Sequence, residues 1–179
     1  IVSALHHILP GHVWTAEEIA TRKDMIEAAG LPWSVVESLP VSEAIKTQGA
    51  AMADHVEAYK ASMRALADAG VQVICYNFMP ILDWTRTRLR APQPHGGAAM
   101  HFDLAEFAAF DIHLLERAGA SEDYNEETRA AAAAVFAGLS EDQKQRLTNN
   151  IVAGLPGAND NWSLDDVRAA LATYDGITP

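Results

Sequence analysis

Cysteine is nearly missing from this sequence. Cys75 is the single one in 179 residues, so no internal disulfide framework can form, and a reducing cytoplasm is the compartment that fits. Long apolar runs are missing too. No stretch approaches the roughly 18 apolar residues that a membrane-spanning helix requires. The opening residues, Ile1 to His7, carry neither the basic segment nor the cleavage pattern of a signal peptide. Basic charge is scarce: 13 Lys and Arg stand against 24 Asp and Glu, for a formal net charge of −11. A nucleic-acid ligand needs a basic face that displaces phosphate counterions. The basic residues here are scattered, which excludes nucleic acid and disfavours an anionic membrane surface. A small anionic ligand stays open, because one local arginine can dominate a pocket. No HExxH, CxxC, GxSxG or phosphate-binding loop occurs.

What is present is ordinary for a soluble globular domain, with 49% apolar and 21% charged residues. Strands and helices alternate in the first part. Val2 to Ile8 is a short apolar run ending at Pro10-Gly11 and predicts a buried strand. Thr15, with Glu18 three residues on, predicts a capping box and a helix that carries Ile19, Ile26 and Ala29 and stops at Gly30. Trp33 to Val36 predicts a second strand, Gln48 to Ala69 a second helix stopped by Gly70, and Val71 to Phe78 a third strand. The nearly unbroken apolar run of that third strand is typical of a parallel strand buried on both faces. The order β–α–β–α–β implies a parallel sheet. Three such strands leave two open edges. A closed barrel takes eight βα units and about 250 residues, so part of a larger barrel is the expected architecture. The absence of an initial Met and of a finishing element after Gly176 points the same way.

The second part differs. Asp83 to Gly97 reads as a polar loop holding Arg86, Arg88 and Arg90. Asp103 with Glu106 caps a helix to about Arg117, Asn125 to Ala137 forms a helix stopped by Gly138, Ser140 caps one ending near Gly154, and Ser163 caps one to about Tyr174. The expected organisation is therefore partial (β/α)-barrel units over 1–82 and a loop with a helical insertion over 83–179, in an α/β domain.

Barrel enzymes carry their active sites at the C-terminal ends of the strands. The predicted strands end in His6-His7, Glu37-Ser38 and Asn77. Period-two alternation lets only one of His6 and His7 face the interior; the other packs as a structural histidine. Glu37 near the end of a buried strand is expensive without a partner, which favours a site role over a structural ion pair. Asn77 either holds a substrate hydroxyl or caps its strand. Arg86 and Trp84 follow the third strand closely; Arg can clamp a carboxylate and Trp can wall a sugar pocket, the plain alternative being an anchored surface loop. Cys75 is expected in the core. His55, His95, His101 and His113 lack metal-ligand spacing.

Several runs carry a resemblance. Ala4-Leu5-His6-His7-Ile8, Trp33-Ser34-Val35-Val36-Glu37-Ser38, and above all Cys75-Tyr76-Asn77-Phe78-Met79-Pro80 with Leu82-Asp83-Trp84-Thr85-Arg86-Thr87 resemble mannonate dehydratases. Phe107 to Phe110, Leu147 to Ile151 and Gly154 to Ala158 also resemble that family, so the likeness spans nearly the whole chain. The resemblance implies a xylose-isomerase-like TIM barrel, incomplete here, and dehydration of D-mannonate to 2-keto-3-deoxy-D-gluconate in hexuronate (glucuronate) catabolism. It implies a divalent metal, typically Mn2+, with His, Cys, His and Asp ligands on segments outside this chain; Cys75 is not one of them. The acid–base residues are also expected outside it. His6, His7, Glu37, Asn77, Trp84 and Arg86 match family positions at the barrel top and are expected to line the sugar-acid pocket, with Arg86 on a carboxylate or hydroxyl. A homo-oligomer is expected. A related TIM-barrel sugar isomerase or epimerase, or a non-catalytic fragment, is the alternative reading.

Overall fold

A computed structural model describes residues 1–82, 84–153 and 162–177. The chain divides into two compact units, Ile1–Pro80 with Gly176–Pro179, and Ile81–Asp175.

The first unit is built on a parallel sheet of β1 (Val2–Ser3), β2 (Val35–Pro40) and β3 (Val73–Asn77), in that spatial order. Between β1 and β2 lies α1 (Ala16–Glu27); between β2 and β3 lie the short α2 (Glu43–Lys46) and the long α3 (Met52–Asp68). This is a three-stranded α/β arrangement with crossover helices, part of a (β/α) barrel. The Thr15 hydroxyl accepts from the Glu18 amide at 3.3 Å, starting α1. Gly30 and Gly70 take φ of +74° and +85° where α1 and α3 finish, a conformation costly for any residue with a Cβ. The second helix starts later than expected, because Gln48 itself adopts φ +53° and separates α2 from α3. The core gathers Leu5, Trp14, Ile19, Trp33, Val36 and Leu66, with Val71 entering from the start of the third strand's run.

The strands depart from the expected spans. β1 stops at Ser3, since Ala4 and Leu5 turn into the core and the Ile8 amide closes back on the Leu5 carbonyl at 3.1 Å. β2 runs to Pro40, while Trp33 precedes it and donates from Nε1 to the Val35 carbonyl at 2.9 Å. β3 is not buried on both faces: Val73 and Tyr76 are 54% and 64% exposed, and Cys75 is exposed rather than in the core. The reason is position, for β3 is the last strand of its sheet and no described strand pairs with its outer side.

In the second unit, the segment read as a loop contains an antiparallel hairpin of β4 (Arg88–Pro92) and β5 (Ala98–His101). Its turn is closed by the Gln93 amide on the Gly97 carbonyl at 2.9 Å, with Gly96 at φ +85°. Among the described residues five helices follow: α4 (Leu104–His113), α5 (Ala120–Asp123), α6 (Glu126–Gly138), α7 (Glu141–Val152) and α8 (Leu164–Ala172). Asp103, Asn125, Ser140 and Ser163 each accept from the backbone amide three residues on, as their sequence positions predict. α4 ends at His113, short of Arg117, because the side chains beyond it fold back. Arg117 reaches the buried Asp111 through Nε at 2.9 Å and Nη2 at 2.8 Å, and the Tyr124 hydroxyl donates to the same carboxylate at 2.9 Å. Gly154 and Asp83 lie outside the described residues, as does the Gly154–Ala158 run.

Asp111 is therefore the hub of the α4 terminus. It holds the Arg117 guanidinium above its ordinary value, while burial, with help from Asp111, raises the Tyr124 phenol. Asp111→Ala should leave Arg117 with only the exposed Asp123 and the Tyr124 hydroxyl without its acceptor, lowering stability by about 2 kcal/mol, read as an earlier denaturant midpoint; an unchanged midpoint would refute the hub. At the other end of the unit, the Ser163 hydroxyl and amide hold Asp166 below the ordinary carboxylate value. A depressed folded pKa stabilises the fold above the unfolded value and loses that effect as pH falls through the folded one. Ser163→Ala should raise the Asp166 midpoint in an NMR titration toward that of a free side chain.

Candidate active site

In the first unit, the strand-end residues sit differently from what their sequence positions predict. His6 and His7 lie in the turn after β1, both exposed, so neither is buried under a helix and strand alternation does not choose between them. His7 Nε2 lies 3.0 Å from Glu18 Oε2, which explains why Glu18 does not complete the capping box. Both side chains are about half exposed, so the pair orients His7 without adding much stability.

Glu37 is exposed, so the argument from a costly buried carboxylate does not hold. It occupies a bulge instead. Between Val36 and Leu39 the chain of β2 advances three residues while β3 advances two, from Ile74 to Tyr76. The extra residue falls at Glu37-Ser38, and bulges re-aim side chains where a strand ends. Asn77, half-buried at the end of β3, donates from Nδ2 to the Ser38 hydroxyl at 2.9 Å. Asn77 and the bulge are thus brought together. Among the described residues no hydrogen bond joins His6 or His7 to Glu37 or Asn77.

In the second unit, Arg86 is 8% exposed, with its guanidinium carbon 6.0 Å from the centre of the Trp84 ring. That is within the range of a cation–π contact. Trp84 is exposed and takes φ +50°, an uncommon backbone for a bulky residue and a mark of sites where structure overrides local preference. The next residue, Thr87, fixes the segment. Its amide donates to the His101 carbonyl at 3.0 Å, its hydroxyl accepts from the Asp103 amide at 3.1 Å, and its carbonyl accepts from Asn150 Nδ2 at 2.9 Å. Arg88 pairs with Glu106, whose second carboxylate oxygen is buried without a hydrogen-bond partner among the described residues. Asn150 and Thr87 carry no chemical signal in the sequence. They lie 63 residues apart, and only the fold joins them.

A hollow of about 380 Å³ beside β3, lined by Val41, Ile45, Val56, Tyr59, Tyr76 and Phe78, is almost wholly apolar. It offers a sugar acid no set of hydroxyl partners and is not the candidate site. Among the described residues no group of three or more His, Cys, Asp and Glu is placed to hold a metal ion. These residues by themselves do not fit the expected divalent ion.

Parallel strands linked by crossover helices, with Asn77 at the carboxyl end of β3 bonded to the bulge of β2, define part of a (β/α)-barrel protein. The chain belongs to the D-mannonate dehydratase (UxuA) family, whose sequence pattern matches residues 1–179. It is 53% identical over 178 residues to a mannonate dehydratase of Rhizobium meliloti, covering 99% of this chain and 44% of the relative. With a mannonate dehydratase of Chromohalobacter salexigens it shares 52% over 177 residues, covering 99% of this chain and 45% of the relative. The crystal structure of mannonate dehydratase from Streptococcus suis serotype2 matches with a TM-score of 0.55 and 29% identity, over 99% of this chain and 41% of that one. The chain thus spans less than half the length of the relatives it matches.

Removing the tie between β3 and the bulge should be measurable without any substrate. Asn77→Ala should cost about 1 kcal/mol, and the backbone amide resonances of Glu37 and Ser38 should shift more than those of β1; undisturbed bulge resonances would show that Asn77 does not fix it.

Proposed function

We propose that this chain supplies part of a hydro-lyase that dehydrates D-mannonate to 2-keto-3-deoxy-D-gluconate in hexuronate (glucuronate) catabolism. The observation that carries the reading is the family match along the whole chain, together with relatives that are about half identical to it and are themselves mannonate dehydratases. The reaction removes a proton from the carbon next to a carboxylate and expels the hydroxyl on the following carbon; the enol left behind becomes the ketone. Such a reaction needs the carboxylate held firmly and the developing negative charge stabilised.

The described residues supply binding rather than the chemical step. Arg86, well buried and stacked near Trp84, is assigned to the substrate carboxylate or a hydroxyl, with Trp84 as the wall of the pocket. His6 and His7 in the connection after β1, Glu37 in the bulge of β2 and Asn77 at the end of β3 are assigned to the sugar hydroxyls. The proton-transfer groups and a divalent metal, which we take to be Mn2+ and which would stabilise the enolate-like charge, belong to the remaining length that the relatives have and this sequence does not. On this reading the complete enzyme is a cytoplasmic homo-oligomer built on a closed TIM barrel, and this chain alone is inactive.

The test is the enzyme that carries this sequence, assayed with D-mannonate and manganese for formation of the keto-deoxy acid. Arg86→Ala should lower kcat/KM by roughly 100-fold, the loss expected when one partner of a desolvated charge pair is truncated. Unchanged turnover in that variant would overturn the assignment of Arg86, and no turnover of D-mannonate by the unsubstituted enzyme would overturn the function.

A further inference from the structure

Ser42 is the N-cap of α2, yet its hydroxyl makes no capping bond. It is instead 2.7 Å from His55 Nδ1, and Ser42 itself is 4% exposed. A serine that leaves a helix amide without its usual acceptor has its hydroxyl committed elsewhere. Against the same imidazole stands Gly11, at φ +90°. A Cβ at Gly11 would fall 2.5 Å from His55 Cε1 and 2.6 Å from Nδ1, so only glycine lets the backbone lie flat against the ring. His55, in the first turn of α3, is thus wedged between the connection that follows β1 and the connection that follows β2.

Two more bonds brace these connections. The Trp14 amide donates to the buried Ser62 hydroxyl at 2.9 Å, tying the end of the first connection to α3. Lys46 Nζ donates to the Met79 carbonyl at 3.0 Å, tying α2 to the segment after β3. The connections downstream of all three strands are therefore linked, and His55 is the group shared by the first two. The first connection carries His6 and His7, both exposed, with His7 paired to Glu18 of α1.

We propose that His55 is a positioning residue that clamps the connection after β1 to the connection after β2 and so holds His6 and His7 at the sugar-acid site; this rests on the reading of that site under Proposed function. His55 does not touch the substrate. Its ring supplies a hydrogen-bond partner for Ser42 and a flat face for Gly11, and the loss of either frees the first connection to move.

Residue-resolved amide hydrogen exchange on this chain tests the clamp. His55→Leu keeps much of the bulk and removes the hydrogen bond; exchange between His6 and Trp14 should rise about tenfold while the second half of α3 is unmoved. His55→Asn, which places an amide where Nδ1 lies, should stay within about twofold of the unsubstituted chain. Gly11→Ala should also free the connection, and by less in a His55→Ala background, where the Cβ no longer meets the ring. A D-mannonate titration read on the His6 and His7 imidazole resonances gives the functional arm. Affinity should fall about fivefold in His55→Leu and be retained in His55→Asn. Equal exchange in the Leu variant and the unsubstituted chain would overturn the proposal. So would a rise of the same size in the Leu and Asn variants, or one spread evenly over the whole unit. If D-mannonate moves neither histidine in the complete enzyme that carries this sequence, the sugar-acid reading and with it the positioning role are overturned, while the exchange pattern still decides whether the clamp exists.

Discussion

β2 has a paired neighbour on each side, and its register sets where the chemistry of the first unit can stand. Val35 and Val36 pair with β1 on one side and with Val73 and Ile74 of β3 on the other. Those pairings bury Val36 completely and place α1 and α3 over a common core with Leu66 and Ile19. One turn later the strand gains a residue, and the pleat that buries Val36 and Leu39 can be kept only by bulging Glu37-Ser38 outward. The exposure of Glu37 is thus a consequence of burying its neighbours. The Asn77–Ser38 bond closes the bulge against the end of β3. Register, core and the polar strand ends are a single constraint seen at three levels.

The second unit solves a comparable problem by different means. Arg86 has to be held without a long strand beneath it. The work falls to Thr87, whose three polar groups are all engaged. A buried, well-anchored backbone there lets the nearby Trp84 keep its unusual conformation without fraying.

How much of this was legible in the sequence follows the range of the interactions involved. Thr15, Asp103, Asn125, Ser140 and Ser163 were readable as helix starts because a cap bonds an amide only three residues away. Strand limits were not, since they depend on partners some 30 or more residues distant; hence the short β1 and the displaced β2. The hairpin was hidden because its strands are only five and four residues long, and the prolines and glycines from Pro92 to Gly97 look like those of a loop. Cys75 and Tyr76 sit in an apolar run written like a doubly buried strand, but exposure is decided by what lies beside the strand, which the run itself does not encode. For the proposed site, the sequence offered His6, His7, Glu37, Asn77, Trp84 and Arg86 as candidates by residue type and position alone. The turn that holds the histidines, the bulge under Glu37 and the buried setting of Arg86 were not readable there.

A net charge of −11 weighs against an anionic ligand only where the acidic residues lie close to it. At physiological ionic strength exposed charges are screened beyond roughly 8 Å, so exposed carboxylates farther off than that contribute little field at a buried cation. A buried guanidinium is screened far less, and its five donors fit a carboxylate in two bonds at once. Arg86 is also the arginine here whose burial is deepest, whereas Arg88 is exposed. Under the proposed function, local burial rather than overall charge is therefore what selects Arg86 over the surface arginines as the partner of a carboxylate.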